Sequence, residues 1–275
     1  MRARALLYAL PLAAFPAEAL AWGLQTHLFF AQWVLLALPF ADPELRRAVT
    51  RLPRLVLAGA CLPDLALAGK ALGTPAFRRA HRWSTLRRLA AAPRSDCDRA
   101  LAAGYASHLL TDVVAHNRFV PEHESRIARV PHVTHALAEW AMDQHVRNHV
   151  FATPTELLDG ERHAVVDFVA HGFRCGEALA RRASGLLSCA DGVLRASPVP
   201  ALCRRVVSLV HRDLGAHFDA YVRDASARLQ RLEAALGGGL VDWVSSDPEG
   251  STGHGAADPR ARHDIAWIVQ AKHDA

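Results

Sequence analysis

Gly104-Tyr105-Ala106-Ser107-His108-Leu109-Leu110-Thr111-Asp112-Val113-Val114-Ala115-His116 is the stretch on which the reading of this chain turns. Its apolar residues recur at helical spacing. His108, Asp112 and His116 stand four apart, so they stack on nearly one face. Leu109, Leu110, Val113 and Val114 flank that face as core formers, which sets the polar stripe beside the core and away from solvent. Two imidazoles and a carboxylate held there without partners would be costly to desolvate. A divalent cation is the one partner that all three can share.

The helical period continues in both directions. Apolar residues repeat at three and four over 28–38, and Asp42-Pro43-Glu44 supplies an N-cap, an N1 proline and a first-turn acid. Ser95-Asp96 opens a helix expected to run to about residue 117, ahead of Pro121, and Pro131 opens another to about 149. A further helix is expected over 161–183. The longest is expected after Pro198 and Pro200, with Leu202, Val206, Leu209, Leu214, Phe218, Tyr221, Leu229 and Leu232 along one stripe, ending at Gly237-Gly238-Gly239. Aromatic residues are only 7% of the chain and β-branched runs are scarce, which argues against a sheet. The fold class is all-α, as a single multi-helix domain over 22–236.

Composition bounds the remaining choices. With 51% apolar and 21% charged residues the 275-residue chain can bury a large core, so it is neither a disordered tail protein nor a polytopic membrane protein. The formal charge is +5, and all the basic residues except Lys70 and Lys272 are arginine. Guanidinium pairs well with phosphate, although a coding bias gives the same composition. Arg2 and Arg4, the apolar run 5–15 and the small residues of Ala19-Leu20-Ala21 read as a signal peptide over 1–21, with cleavage before Trp22. The mature protein is then expected to be exported, periplasmic or secreted. Residues 237–275, rich in Gly, Pro, Ser and Asp over much of their length, read as a flexible C-terminal tail. The five cysteines fit no zinc-finger spacing, and Cys175, Cys189 and Cys203 could supply one disulfide in an oxidising compartment.

Sixteen histidines are many for this length, and seven of them lie between positions 108 and 149. His135-Ala136-Leu137-Ala138-Glu139 repeats the imidazole-and-carboxylate pairing at i, i+4. Upstream, Pro63-Asp64 places a carboxylate after a helix-breaking proline, and Ala80-His81-Arg82-Trp83 offers another imidazole. Trp22 and His27 complete the set. A freed α-amine at Trp22, with a pKa of about 8, is a ligand that an internal peptide cannot provide.

This ordered set resembles the zinc-dependent phospholipase C family, whose pattern is shared with single-strand nucleases of the S1/P1 type. The resemblance covers residues 22–139. It implies an all-α domain holding about three zinc ions. By matching motifs, one ion takes Asp64, His81, His108 and Asp112, and a second takes His116, His135 and Glu139. The third takes the amine and carbonyl of Trp22 with His27 and Asp112, so that Asp112 bridges two ions. The family usually separates the helix aspartate from the next ligand histidine by six residues. Here the separation is four, to His116, with His123 as runner-up, because the residue six along is Arg118. His132, His145 and His149 read as polar-face residues, and His163, His171, His211 and His217 receive no role.

The resemblance also implies a hydrolase acting on a phosphodiester through metal-activated water. Asp64 is the carboxylate assigned to the nucleophilic water. A phospholipid, or another phosphodiester, is the expected substrate, with peripheral membrane contact. The alternatives are a single-strand nuclease, which would bind nucleic acid, and a zinc-binding homologue without turnover.

Overall fold

A computed structural model describes residues 23–127, 131–211 and 213–238. Trp22, the expected signal peptide and most of the expected tail lie outside the described residues. Among the described residues every regular element is helical. The α-helices are α1 (Leu24–Ala37), α2 (Pro43–Arg51), α3 (Pro53–Gly59), α4 (Leu65–Ala71), α5 (Trp83–Ala90), α6 (Asp96–Val114), α7 (Val120–Ile127), α8 (Pro131–Val146), α9 (Pro154–Gly160), α10 (Arg162–Gly172), α11 (Glu177–Ala196), α12 (Val199–Ser208), α13 (Leu214–Leu229) and α14 (Leu232–Leu236). The fold is all-α. No single described helix is long and apolar enough to cross a membrane.

Helix α6 is the hub, packed by α1, α2, α3, α5, α10, α13 and α14. Ser95 starts it, accepting a hydrogen bond from the Asp98 amide at 3.2 Å, as Asp42 starts α2 by accepting from the Glu44 amide at 2.8 Å. From 100 to 114 every residue of α6 is buried. Helix α3 crosses it backbone against backbone. A Cβ on Gly104 would stand 1.8 Å from the Val56 carbonyl oxygen, and one on Gly59 would stand 2.2 Å from that of Leu101. Only glycine permits this approach.

Several helices end earlier than their periodicity suggests. Helix α6 stops at Val114 and passes into a π turn, Ala115–Phe119, from which α7 departs. Pro121 therefore falls in the first turn of α7, directly after the π turn. The helix expected over 161–183 is two, α10 and α11, separated where Arg174 takes a left-handed φ of 52°. The long helix expected after Pro198 is three. Helix α12 buries Val199, Pro200, Cys203 and Val207, which leaves Leu202 at 59% and Leu209 at 84% exposure, so the expected stripe breaks there. All five cysteines are free thiols, and Cys175, Cys189 and Cys203 form no disulfide.

Gly104→Ala is expected to destabilise the fold by about 3 kcal/mol, at the upper end of overpacking costs, because the obstacle is a backbone carbonyl and not a flexible side chain. Denaturant unfolding of the two proteins side by side measures it, and an unchanged midpoint would mean that α3 does not approach α6 this closely.

Candidate metal centre

His27 on α1, Asp64 in the 3-10 turn Leu62–Asp64, His81 before α5, and His108 and Asp112 on α6 converge on one buried point. Asp112 is its middle. Its Oδ1 lies 3.3 Å from His27 Nε2, and its Oδ2 lies 3.1 Å from His108 Nε2 and 3.6 Å from His81 Nε2. His81 Nε2 is also 3.3 Å from Asp64 Oδ1. Two triples of ligand atoms, His27–His108–Asp112 and Asp64–His81–His108, each lie within 4.8 Å of one another.

The surroundings set how each imidazole points. His108 Nδ1 donates to the Ala60 carbonyl at 2.8 Å, which leaves the Nε2 lone pair facing inward. That lone pair meets His81 Nε2 at 3.3 Å. Thr111 Oγ1 donates to backbone carbonyls of its own helix at 3.0 and 3.1 Å, so towards His27 Nδ1, 3.3 Å away, it is an acceptor. His27 then turns Nε2 to Asp112, and its ring stacks on His108 with centroids 3.5 Å apart. His81 is held from behind. Tyr105 donates to the Ala80 carbonyl, and Thr85 Oγ1 donates to that of Arg79 at 2.6 Å.

These contacts fit a cation. Neither oxygen of Asp112 receives a hydrogen bond of normal geometry from the described residues, although both are fully buried. Burial alone would raise its pKa, but the adjacent His108 and His27 hold the carboxyl well below the usual range. A carboxylate and three inward-facing nitrogens at 3.1–3.6 Å need positive charge between them. Nitrogen and carboxylate donors of this kind suit zinc.

The remaining residues of the predicted set are placed less tightly. His135 Nε2 and Glu139 Oε1 are 2.7 Å apart on α8, and the His116 ring stands 5.7 Å from that of His135. His116 follows Asp112 in the π turn and adjoins the centre closely enough to feel its charges. Burial pushes its imidazole down to about 4, against the upward pull of Asp112, which leaves it neutral. His116, His135 and Glu139 are not among the triples that close to 4.8 Å among the described residues. His123 points elsewhere, towards His211 and His217. His145 pairs with Asp219 at 2.9 Å.

The Ala60 carbonyl, Tyr105 and Thr85 orient the ligands without any mark in the sequence pattern. Thr111 alone carries a signal there, as a polar residue inside the apolar stretch.

The model of the family described as zinc dependent phospholipase C matches residues 26–164. This chain belongs to the zinc-dependent phospholipase C family. No curated protein and no solved structure matches it. The match encloses His27, Asp64, His81, His108, Asp112, His116, His135 and Glu139, and it ends in α10.

Asp112→Ala is expected to lose the most metal of any single replacement in this phospholipase C-family centre, since it removes the charge between two ligand triples. Asp64→Asn should keep more zinc than it keeps turnover. Zinc content and kcat of the two variants decide this, and equal zinc loss would remove the distinction between the two carboxylates.

Proposed function

We propose that this protein is an exported, zinc-dependent phosphodiesterase of the phospholipase C type that uses about three ions and cleaves a phospholipid at its head-group phosphodiester. The observation that carries the reading is Asp112, fully buried, bare of hydrogen bonds of normal geometry and ringed by His27, His81 and His108. His27, Asp64, His81, His108 and Asp112 would hold the metal, and His116, His135 and Glu139 would extend it. Bound there, zinc supplies Lewis acidity to a phosphoryl group and brings the pKa of water towards about 7.

The protein's own groups then divide the work. His27, His108 and Asp112 are wholly buried and Asp64 and His81 are nearly so, at 5%, and we place the substrate's approach on the Asp64 side. Asp64 is the carboxylate at that edge, and it orients the attacking water and accepts its proton at a carboxylate oxygen. Asp112 has an imidazole against each oxygen and serves to hold and not to transfer. Direct attack by water is preferred to a covalent route. Cys61, three residues before Asp64 in the chain, is fully buried, and burial pushes its pKa well above the usual value, so it offers no thiolate.

Secreted protein assayed on phospholipid, nucleic-acid and simple diester substrates tests the reading. The expected result is hydrolysis of phospholipid that chelation abolishes and zinc restores. Preference for single-stranded nucleic acid would select the nuclease reading, and zinc binding with no hydrolysis of any diester would select a binding protein.

The same reading makes activity depend on a chain that begins at Trp22. His27 is one turn into α1, and the start of that helix is fixed by Asp143, which accepts from the Thr26 amide at 2.9 Å and from Thr26 Oγ1 at 2.6 Å. Trp22 precedes His27 by only five residues, so its freed amine is proposed as a further ligand. Adding one alanine before Trp22 should lower zinc content by about one ion and depress turnover, because an amide is far harder to deprotonate than an amine of pKa about 8. Unchanged zinc and turnover in the extended chain would remove the terminus from the ligand set.

A further inference from the structure

Three histidines that take no part in the centre above meet on the other side of the π turn. His123 comes from α7, His211 from the break between α12 and α13, and His217 from the first turn of α13. One ligand atom from each lies within 4.8 Å of the other two. The His211 and His217 rings stack at 4.3 Å, and the His123 ring is 4.9 Å from the first and 5.3 Å from the second.

His123 is wholly buried. Its Nδ1 donates to the Phe119 carbonyl at 2.7 Å, which fixes Nε2 as the atom with the lone pair. That Nε2 is buried and makes no hydrogen bond among the described residues. Phe119, Phe218 and Tyr221 wall the same space, with ring centroids 4.4–6.4 Å from that of His123. An imidazole lone pair aimed into an aromatic pocket is costly without a partner.

The chain accepts a second cost to build this cluster. Where α12 ends, Leu209 is 84% exposed and Val210 is 43% exposed, while the next residue, His211, is only 6% exposed. Turning two apolar side chains outward and an imidazole inward forfeits hydrophobic burial. The periodic stripe of the sequence turns Leu209 inward instead. A bound ion offsets both costs at once.

We infer that His123, His211 and His217 form a second, separate metal site that binds zinc and pins the break between α12 and α13 onto α7. Three neutral imidazoles suit zinc, or a neighbouring transition metal, and not calcium or magnesium, which require oxygen ligands. A tetrahedral ion has room for a fourth ligand beside the three nitrogens. Glu122, which accepts from the Tyr221 hydroxyl and stands 3.8 Å from His217 Nε2, is the carboxylate next to that position. The site shares no ligand with the Asp112 centre. His211 and His217 also lie beyond the residues that match the family model.

Metal analysis of the full-length protein, purified with zinc and then dialysed, tests this inference. The proteins compared are the wild type, His211→Gln/His217→Gln, and Asp112→Ala. The double variant is expected to hold about one zinc less per chain than the wild type, while keeping the zinc that Asp112→Ala loses. Cobalt(II) loaded into Asp112→Ala should give the visible absorption of a tetrahedral nitrogen site, and that absorption should vanish when the two histidines are also replaced. Equal zinc in the wild type and the double variant would overturn the site, whatever happens to the Asp112-dependent ions. His217→Gln alone, at a side chain that is 20% exposed, gives the same reading if the double variant does not fold.

Discussion

The centre depends on one close contact between backbones. At the crossing of α3 and α6, Gly104 lies against the Val56 carbonyl and Gly59 against that of Leu101, with no room for a side chain at either glycine. This brings the Ala60 carbonyl, just past the end of α3, to 2.8 Å from His108 Nδ1 and so turns His108 Nε2 inward. The chain reaches Asp64 four residues later, in a 3-10 turn that packs on α6. Tyr105, next to Gly104, donates to the Ala80 carbonyl and secures the segment before His81. Three ligands from three segments are therefore oriented by a single turn of α6. A side chain at position 104 would disturb them together, although it touches none of them.

Two buried aspartates show how strongly local donors decide the charge in this interior. Asp143 has the hydroxyl and amide of Thr26 as partners, and burial still pushes its pKa up to about 7. Asp112 is at least as buried, yet it is held well below the usual carboxylate range, because His108 and His27 stand against it. Asp112 is thus biased towards its carboxylate form, where burial biases Asp143 away from it. A carboxylate kept ionised in a dry interior suits a metal ligand and is a poor arrangement for a purely structural group.

Much of this is legible in the sequence, for a simple reason. Spacing within one helix fixes which face a residue shares, so the amino-acid order alone pairs His108 with Asp112, and His135 with Glu139. Caps at Asp42 and Ser95 are equally local, and the fold keeps both. What the sequence hides depends on the places where helices break. The π turn after Val114 and the break after Ser208 interrupt patterns that look continuous, and they bring His123, His211 and His217 together from positions with no shared spacing. Gly59 and Gly104 are equally opaque, since a glycine inside a helix reads as a weak point until the second backbone is seen against it.

The exposure of the ligands separates holding from reacting. His27, His108 and Asp112 have no contact with solvent, so they can fix a metal but cannot meet a substrate directly. Asp64 and His81 are each 5% exposed, and the side chain of His135 reaches 13%. Asp112 has imidazoles against both of its oxygens, whereas Asp64 meets His81 through Oδ1. Of the two carboxylates, Asp64 is the less enclosed and the one with an oxygen that faces no imidazole, which is what the proposed water-orienting role requires.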